Sequence, residues 1–350
     1  MQKPMQKVLI VRTSAIGDVV FASALPAAIR RTWPQAQISW LVEPGIHEIL
    51  QGAPCVDQLI LFPKAEWRKA WKNGQRRAVW HGLRELRARL RAEGFDTVLD
   101  LQGLLKSGVL AWLTGAPRRI GLGSKEGSQF LMHEVIPRGG IKGRIGSEYR
   151  YLAEQLGLDA GDFLPTLTVD AAARARMHAR LAQQGLAPGR YAVFAPFTTR
   201  PQKHWFEDAW QALAPRLMAD TGLVPVILGG PADAEAGARI AAADPRILNL
   251  AGQTRLPEAV ALIADAALLV GVDTGLTHMG TALNRPTVAI FGSTCPYLDT
   301  GRPNGKVIWL GMECSPCRRR PTCAGRFTCL RDITPARVMD EVQPLLSARP

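Results

Sequence analysis

Nine short apolar, β-branched runs, at residues 8–11, 38–42, 59–62, 97–101, 191–195, 224–228, 247–250, 268–272 and 287–291, alternate with stretches whose apolar residues recur at helical spacing. A strand with apolar residues at consecutive positions is buried on both faces, so this alternation calls for parallel sheets covered by helices. Helices are expected at 19–31, 78–93, 171–184 and 233–243, the last three rich in Ala and Arg. The series breaks between residues 157 and 189, where Gly, Pro and Asp flank one Ala/Arg-rich helix before a fresh strand begins at Tyr191. That break predicts two α/β domains, 1–168 and 169–350. Each repeats strand, loop and helix, with strand C-terminal ends facing a central cleft.

With 350 residues and 47% hydrophobic content, the chain is long enough to bury a core in each domain. No apolar run reaches the roughly 18 residues needed to cross a bilayer, because Asp265 interrupts the longest, 259–272. The first apolar run is cut at Arg12, short of a signal-peptide core, so the expected location is cytoplasmic. A formal charge of +13 calls for an anionic partner: nucleic acid, an acidic membrane surface or a phosphorylated substrate. The charge is concentrated at 64–91, where ten Lys or Arg stand against two Glu, with Trp67, Trp71 and Trp80 interleaved. A basic nucleic-acid-binding protein stays open on these grounds.

Three strand-end loops carry groups suited to phosphate or proton chemistry. After the first strand come Arg12, Thr13, Ser14, Ala15, Ile16, Gly17 and Asp18. Gly17 alone does not make the three-glycine dinucleotide fingerprint, which argues against a nicotinamide oxidoreductase. Asp18 at the helix start reads either as an N-cap or as a functional carboxylate. After 191–195 come Thr198, Thr199, Arg200, Lys203, His204 and Trp205, two hydroxyls and several cations on one loop, or else a solvated loop anchored by Trp205. After 268–272, Asp273, Thr274, Gly275, Leu276, Thr277 and His278 lead into a helix whose free N–H groups attract an anion, or form an ordinary capped turn with His278 packed inside. The loop at Gly229, Gly230 and Pro231 precedes Glu235, in reach of a ribose diol.

Four of six cysteines cluster as C-x2-C-x5-C-x5-C at Cys314, Cys317, Cys323 and Cys329. The C-x2-C half resembles a structural zinc knuckle, so a structural zinc is one candidate, beside reduced thiols or an oxidisable pair. Cys55 and Cys295 stand apart.

The stretches TSAIGD (13–18), DLQGLLKS (100–107), TTRPQKHW (198–205) and VDTGLTH (272–278) together resemble glycosyltransferase family 9, the lipopolysaccharide heptosyltransferases. The later two motifs and WRKAW (67–71) are most similar to the type I enzymes. The resemblance implies a GT-B fold of two Rossmann-like domains, an acceptor-binding one at 1–168 and a nucleotide-sugar-binding one at 169–350. The latter would include the Cys-rich loop 314–329 and a C-terminal helix. It also implies inverting transfer of L-glycero-D-manno-heptose from ADP-heptose to the Kdo residue of Kdo-lipid A, with no cofactor or catalytic metal. The alternative within the family is another donor or acceptor, including that of the type II enzymes. By resemblance, Asp18 is the general base and Lys203 a second catalytic group. Thr198, Thr199, Lys203, Glu235, Asp273, Thr274, Gly275 and His278 hold the donor, and Arg12, Ser14, Arg68, Lys69, Arg118 and Arg119 face the acceptor. The implied partners are the nucleotide sugar and a lipid A-linked acceptor at the inner leaflet of the cytoplasmic membrane, with peripheral attachment there and no nucleic acid.

Overall fold

A computed structural model describes residues 4–347; positions 1–3 and 348–350 of the expected domains lie outside the described residues. The chain divides into two compact units, Met1–Lys142 with Gly146–Thr168 and Gly143–Ile145 with Val169–Pro350.

The first unit contains strands β1 (Lys7–Val11), β2 (Gln37–Val42), β3 (Gln58–Leu61), β4 (Thr97–Asp100), β5 (Arg118–Leu122) and β6 (Glu134–Ile136). They form one parallel sheet in the order β3-β2-β1-β4-β5-β6. Its helices are α1 (Ile16–Ala22), α2 (Leu25–Thr32), α3 (Lys64–Lys72), α4 (Arg76–Ala92), α5 (Leu105–Leu113) and α6 (Ser147–Gln155). Leu9, Val11, Leu41, Val98, Leu86, Leu90 and Leu110 form a core on one face of this sheet.

The second unit has strands β7 (Tyr191–Ala195), β8 (Val224–Ile227), β9 (Leu248–Asn249), β10 (Leu268–Val272), β11 (Thr287–Ile290) and β12 (Gly305–Ile308), in the order β12-β11-β10-β7-β8-β9. Counted from its own first strand, this is the same doubly wound order as in the first unit, read from the other edge. Helices α7 (Ala171–Ala182), α8 (Glu207–Thr221), α9 (Ala234–Ala241), α10 (Leu256–Asp265), α11 (Gly275–Ala282), α12 (Thr328–Arg331) and α13 (Pro335–Ser347) complete it. Trp210 is wholly buried, its ring 4.9 Å from that of Phe194 and 5.0 Å from that of Trp205. Trp205 in turn donates from Nε1 to the Ile333 carbonyl at 2.9 Å, tying the loop after β7 to the chain entering α13.

The expected strands and helices are present, with four differences. β5, β6 and β12 lack an apolar run: β5 opens on two arginines, and the outermost strands β6 and β12 each bury only their last residue. The single helix expected at 19–31 is two, α1 and α2, because Pro26 in the first turn of α2 has no N–H to continue a helix. Helix α4 starts at Arg76, earlier than expected, and is preceded by a separate α3. The strand expected at 247–250 is reduced to Leu248–Asn249.

Asp265, the acid that interrupts the apolar stretch 259–272, is buried at the end of α10. Arg174 of α7 grips it with two donors, Nε at 2.8 Å and Nη2 at 2.5 Å, and His178 Nε2 lies 2.7 Å from the same carboxylate. Burial alone raises its pKa, but the hydrogen bonds from Arg174 and His178 outweigh burial and hold it below the ordinary carboxylate range. A depressed folded pKa contributes stability above the unfolded value of about 3.9 and loses it as pH falls through the folded value. Asp265→Asn is therefore expected to lower stability at neutral pH and to reduce the acid-induced loss below about pH 4. Paired urea titrations at pH 7 and pH 3 measure both effects.

Candidate functional site

In a doubly wound sheet, ligands bind beyond the strand C-terminal ends where the strand order reverses. That point lies between β1 and β4 in the first unit and between β7 and β10 in the second. The four segments that run from these strand ends into the following helix, 12–18, 100–107, 196–206 and 272–278, contain the four motif stretches singled out from the sequence.

In the first unit the loop after β1 is held from both sides. Gln102 Oε1 accepts from Thr13 N at 3.3 Å and Thr13 Oγ1 at 3.0 Å, and Arg12 donates from Nη1 to the Leu101 carbonyl at 3.0 Å. Gln102 is itself fixed by Asp100, wholly buried at the end of β4, whose carboxylate accepts from the Gln102 and Gly103 amides and from Ser107 Oγ at 3.0–3.1 Å. Burial raises the Asp100 pKa, and these neutral donors only partly oppose it. Gly103 is required here: its φ is +65°, and a Cβ would lie 2.6 Å from the Leu122 carbonyl oxygen.

Asp18 is not the N-cap of α1. It is the third helical residue, and its carboxylate reaches back to the amide of Ala15, the N-cap, at 3.3 Å. It also forms an ion pair with Arg12. The pair is asymmetric, since the Arg12 side chain is 7% exposed and that of Asp18 38%. Arg12 thus serves as a buried clamp, while Asp18 presents a carboxylate edge to solvent. Ser14 is half-buried in the same loop.

Three residues to which the sequence gives no individual role are linked to the same loop through Thr13. Glu43, just past β2, lies 3.2 Å from Thr13 Oγ1 as an alternative acceptor to Gln102 and pairs with Lys64 Nζ at 2.9 Å. Lys106 of α5 lies close enough to Lys64 that partial burial and the Lys64 charge, in that order, lower its pKa. Arg68 and Lys69 sit exposed on α3, beyond Lys64. The structure does not bring Arg118 and Arg119 to this group. They begin β5, at the N-terminal ends of the parallel strands, where Arg119 donates to the Leu131 and Ala116 carbonyls at 2.8 and 2.7 Å and Arg118 pairs with Glu134 at 3.5 Å.

In the second unit Asp273 is a buried hub. Its Oδ2 lies 2.5 Å from Lys203 Nζ and accepts from Thr294 Oγ1 at 2.6 Å, while Oδ1 accepts from His278 Nε2 at 3.1 Å. Burial pushes its pKa up, but His278 and Lys203 together pull it well below the ordinary range, so the carboxylate is ionised and fully engaged. His278 is packed rather than presented, buried with its ring edge-on to Tyr297. Thr274 is the N-cap of α11 and makes no side-chain cap hydrogen bond, and the first amides of the helix have no intrahelical acceptor. Across from them, Thr198 and Lys203 come from one turn, closed by His204 Nε2 at 2.7 Å from the Thr198 carbonyl, and Thr199 is exposed. Gly271 makes the close approach of β10 and α11 possible: a Cβ there would lie 2.2 Å from Thr277 Oγ1 and 2.9 Å from Ala195 Cβ. Glu235 lies exposed in the first turn of α9, past the C-terminal end of β8, the neighbour of β7.

The four clustered cysteines line one cavity of about 230 Å³. Among the described residues no group of three or more His, Cys, Asp or Glu side chains is disposed as a metal-binding set. Burial, and after it the neighbouring thiols, push Cys329 up to about 11. A larger cavity, about 620 Å³, lies at the strand N-terminal ends of the second unit, lined by Gly189, Asp265, Ala266, Arg285, Pro286 and Asn304 among others.

The sequence profile of Glycosyltransferase family 9 (heptosyltransferase) matches residues 83–327. Lipopolysaccharide heptosyltransferase 1 of Pseudomonas aeruginosa is 32% identical over 368 aligned residues, covering 98% of each chain. Lipopolysaccharide heptosyltransferase 2 of Escherichia coli K12 is 29% identical, covering 97% of this chain and 98% of its own. Among solved structures, E. coli ADP-heptose LPS heptosyltransferase II superposes with a TM-score of 0.75 at 28% identity, covering 98% of this chain and 99% of its own. E. coli heptosyltransferase WaaC with ADP gives 0.74 at 26% identity, covering 97% and 100%.

The Gln102 latch is open to test. Gln102→Ala removes the acceptor shared by the Thr13 amide and hydroxyl, at about 1 kcal/mol per hydrogen bond. Amide exchange of residues 13–18 is expected to speed up roughly tenfold, with strands β2 and β3 unchanged, as read by hydrogen-exchange mass spectrometry.

Proposed function

Because the chain belongs to glycosyltransferase family 9, and so is a glycosyltransferase of the GT-B type, we propose that it transfers heptose from ADP-heptose to a growing lipopolysaccharide core. The finer reading is type I: L-glycero-D-manno-heptose added to the Kdo residue of Kdo-lipid A, at the inner face of the cytoplasmic membrane. One observation supports this above the others: the motif loops occupy the four strand ends at the two switch points, each unit carrying a different half of the chemistry.

In this reading the second unit holds the nucleoside diphosphate. Lys203 and the hydroxyls of Thr198, Thr199 and Thr274 meet the phosphates together with the amides that open α11, and Glu235 meets the ribose. Asp273 contributes by fixing Lys203 and His278 on one carboxylate, which sets the ammonium in place before charge develops. As the bond from the anomeric carbon to the leaving β-phosphate oxygen lengthens, negative charge grows on that phosphate. Lys203 and the helix start are the groups that stabilise it, so the reaction needs no metal for this step.

The first unit holds the acceptor. Asp18, clamped by Arg12 and partly exposed, takes the proton from the attacking hydroxyl, and the new bond forms on the face opposite the departing diphosphate, giving inversion. Lys64 and Lys106, with Ser14, Arg68 and Lys69 nearby, supply cations and a hydroxyl for the acceptor's carboxylate and phosphate groups. Arg118 and Arg119 have no part in it.

Asp18→Ala is expected to lower kcat by at least roughly a hundredfold, the usual scale for a general base, while ADP binding by calorimetry stays within a factor of about two. Unchanged turnover refutes the base assignment. Lys203→Ala should instead weaken ADP about tenfold or more, the cost of losing a charge-assisted hydrogen bond, and slow transfer as well. A thermal-shift comparison of ADP, UDP and GDP tests the nucleotide: at a hundred times its dissociation constant the true ligand adds about 2.7 kcal/mol. Relatives of both types are comparably identical to this chain, so the acceptor is tested by supplying Kdo-lipid A and its mono-heptosylated product in parallel; turnover of the first alone supports type I.

A further inference from the structure

Helices α3 and α4 form a hairpin on which most of the basic segment is displayed. α3 buries no residue, and α4 buries only Leu86 and Leu90, both in its second half. Of the segment's three tryptophans, only Trp67 turns inward, edge-on to Phe62 at 5.4 Å and against Gly82, where a Cβ would lie 2.9 Å from its indole nitrogen. Trp71 and Trp80 turn out, 50% and 59% exposed. Every residue from Trp71 to Ala78 is exposed. At 17 residues α4 is about 25 Å long, while β4, which follows it, rises about 13 Å, so the first half of α4 overhangs the sheet.

This exposed surface is built of two side-chain types. Arg77, Trp80, Arg84 and Arg91 repeat at helical spacing on α4, and Lys72 and Arg76 flank the turn, with the Arg76 guanidinium 5.3 Å from the centre of the Trp71 ring. The fold requires none of these residues, and exposed indoles carry a solvation cost that a purely polar face avoids. Indole is also the side chain that favours the boundary between headgroups and acyl chains, where its ring is dry and its N–H is wet.

We propose that the outer face of this hairpin, Trp71 and Trp80 among Lys72, Arg76, Arg77 and Arg84, docks the protein on a bilayer bearing anionic phospholipid headgroups. The cations meet the headgroup phosphates and the indoles enter the interface below them. A second copy of the same face is excluded by charge, since a two-fold contact sets these cations against one another. Single-stranded nucleic acid is the poorer fit, because stacking platforms line a groove that follows the backbone, whereas these rings stand on a projecting hairpin. The inference deepens the reading of a lipid-linked acceptor, and its test uses neither donor nor acceptor, so either can fail alone.

The test is co-sedimentation of the full chain with phosphatidylcholine vesicles, with and without phosphatidylglycerol, together with quenching by bromine-labelled acyl chains. Binding is expected only with phosphatidylglycerol, weakening as salt rises. Arg76→Glu with Arg77→Glu is expected to reduce partitioning by roughly tenfold or more. Trp71→Ala with Trp80→Ala is expected to reduce it and to abolish the bromine quenching. Unaltered thermal unfolding in both variants shows that the fold is kept. Binding that both variants retain, or no binding to anionic vesicles, overturns the proposal; so does a salt-sensitive gel shift with a short oligonucleotide in the absence of vesicle binding.

Discussion

A parallel sheet connected by crossover helices must reverse its strand order if both of its faces are to be covered. At the reversal, the loops leaving the two central strands turn to opposite faces. The strand ends between them are left uncovered, with backbone amides pointing outward. Both units of this protein are built on that constraint, and the order β3-β2-β1-β4-β5-β6 in one is repeated strand for strand in the other. The motif residues sit where the constraint leaves room: Arg12 to Asp18 and Asp100 to Ser107 in the first unit, Thr198 to His204 and Asp273 to His278 in the second.

Each unit also places a buried carboxylate at the end of the fourth strand of its sheet and uses it differently. Asp100 gathers two backbone amides and one hydroxyl, all neutral, and burial raises its pKa. Asp273 gathers an ammonium, an imidazole and a hydroxyl, and its pKa falls. The first arrangement immobilises a loop with neutral donors, and the positive charge beside Asp18 comes from Arg12. The second assembles positive charge and fixes it. The two buried aspartates thus differ in the charge they gather, and the proposed roles of the two loops follow that difference.

The sequence makes these centres legible and their margins obscure, for one physical reason. β1, β7 and β10 are buried on both faces and read as unbroken apolar runs, whereas β5, β6 and β12 are exposed or opened by Arg, Glu and Gly, so their periodicity is lost. The same holds for the site. Asp18, Lys203 and Asp273 follow buried strands directly and stand out. Glu43, Lys64 and Thr294 reach their partners across 21 to 30 residues of chain, a distance no spacing rule covers. Gln102 and Lys106 lay within a recognised motif, but nothing in one dimension says that Gln102 faces Thr13. Arg118 and Arg119 show the converse error: basic residues near the motifs in sequence, yet at the wrong pole of the sheet. The cysteine spacing matched half of a zinc knuckle, but spacing does not convey that Cys329 is the buried member of the four and Cys314 the exposed one.

The cavity of about 620 Å³ beneath the second sheet bears on inhibitor discovery. It opens at the amino ends of β7, β10 and β11, and the length of β10, about 17 Å, separates it from the loop that begins at Asp273. A compound bound there would touch Asp265 and Arg285 and leave that loop open. On the proposed function such compounds would not compete with the donor. A competition assay against ADP, run before any structural follow-up, separates them from true active-site ligands.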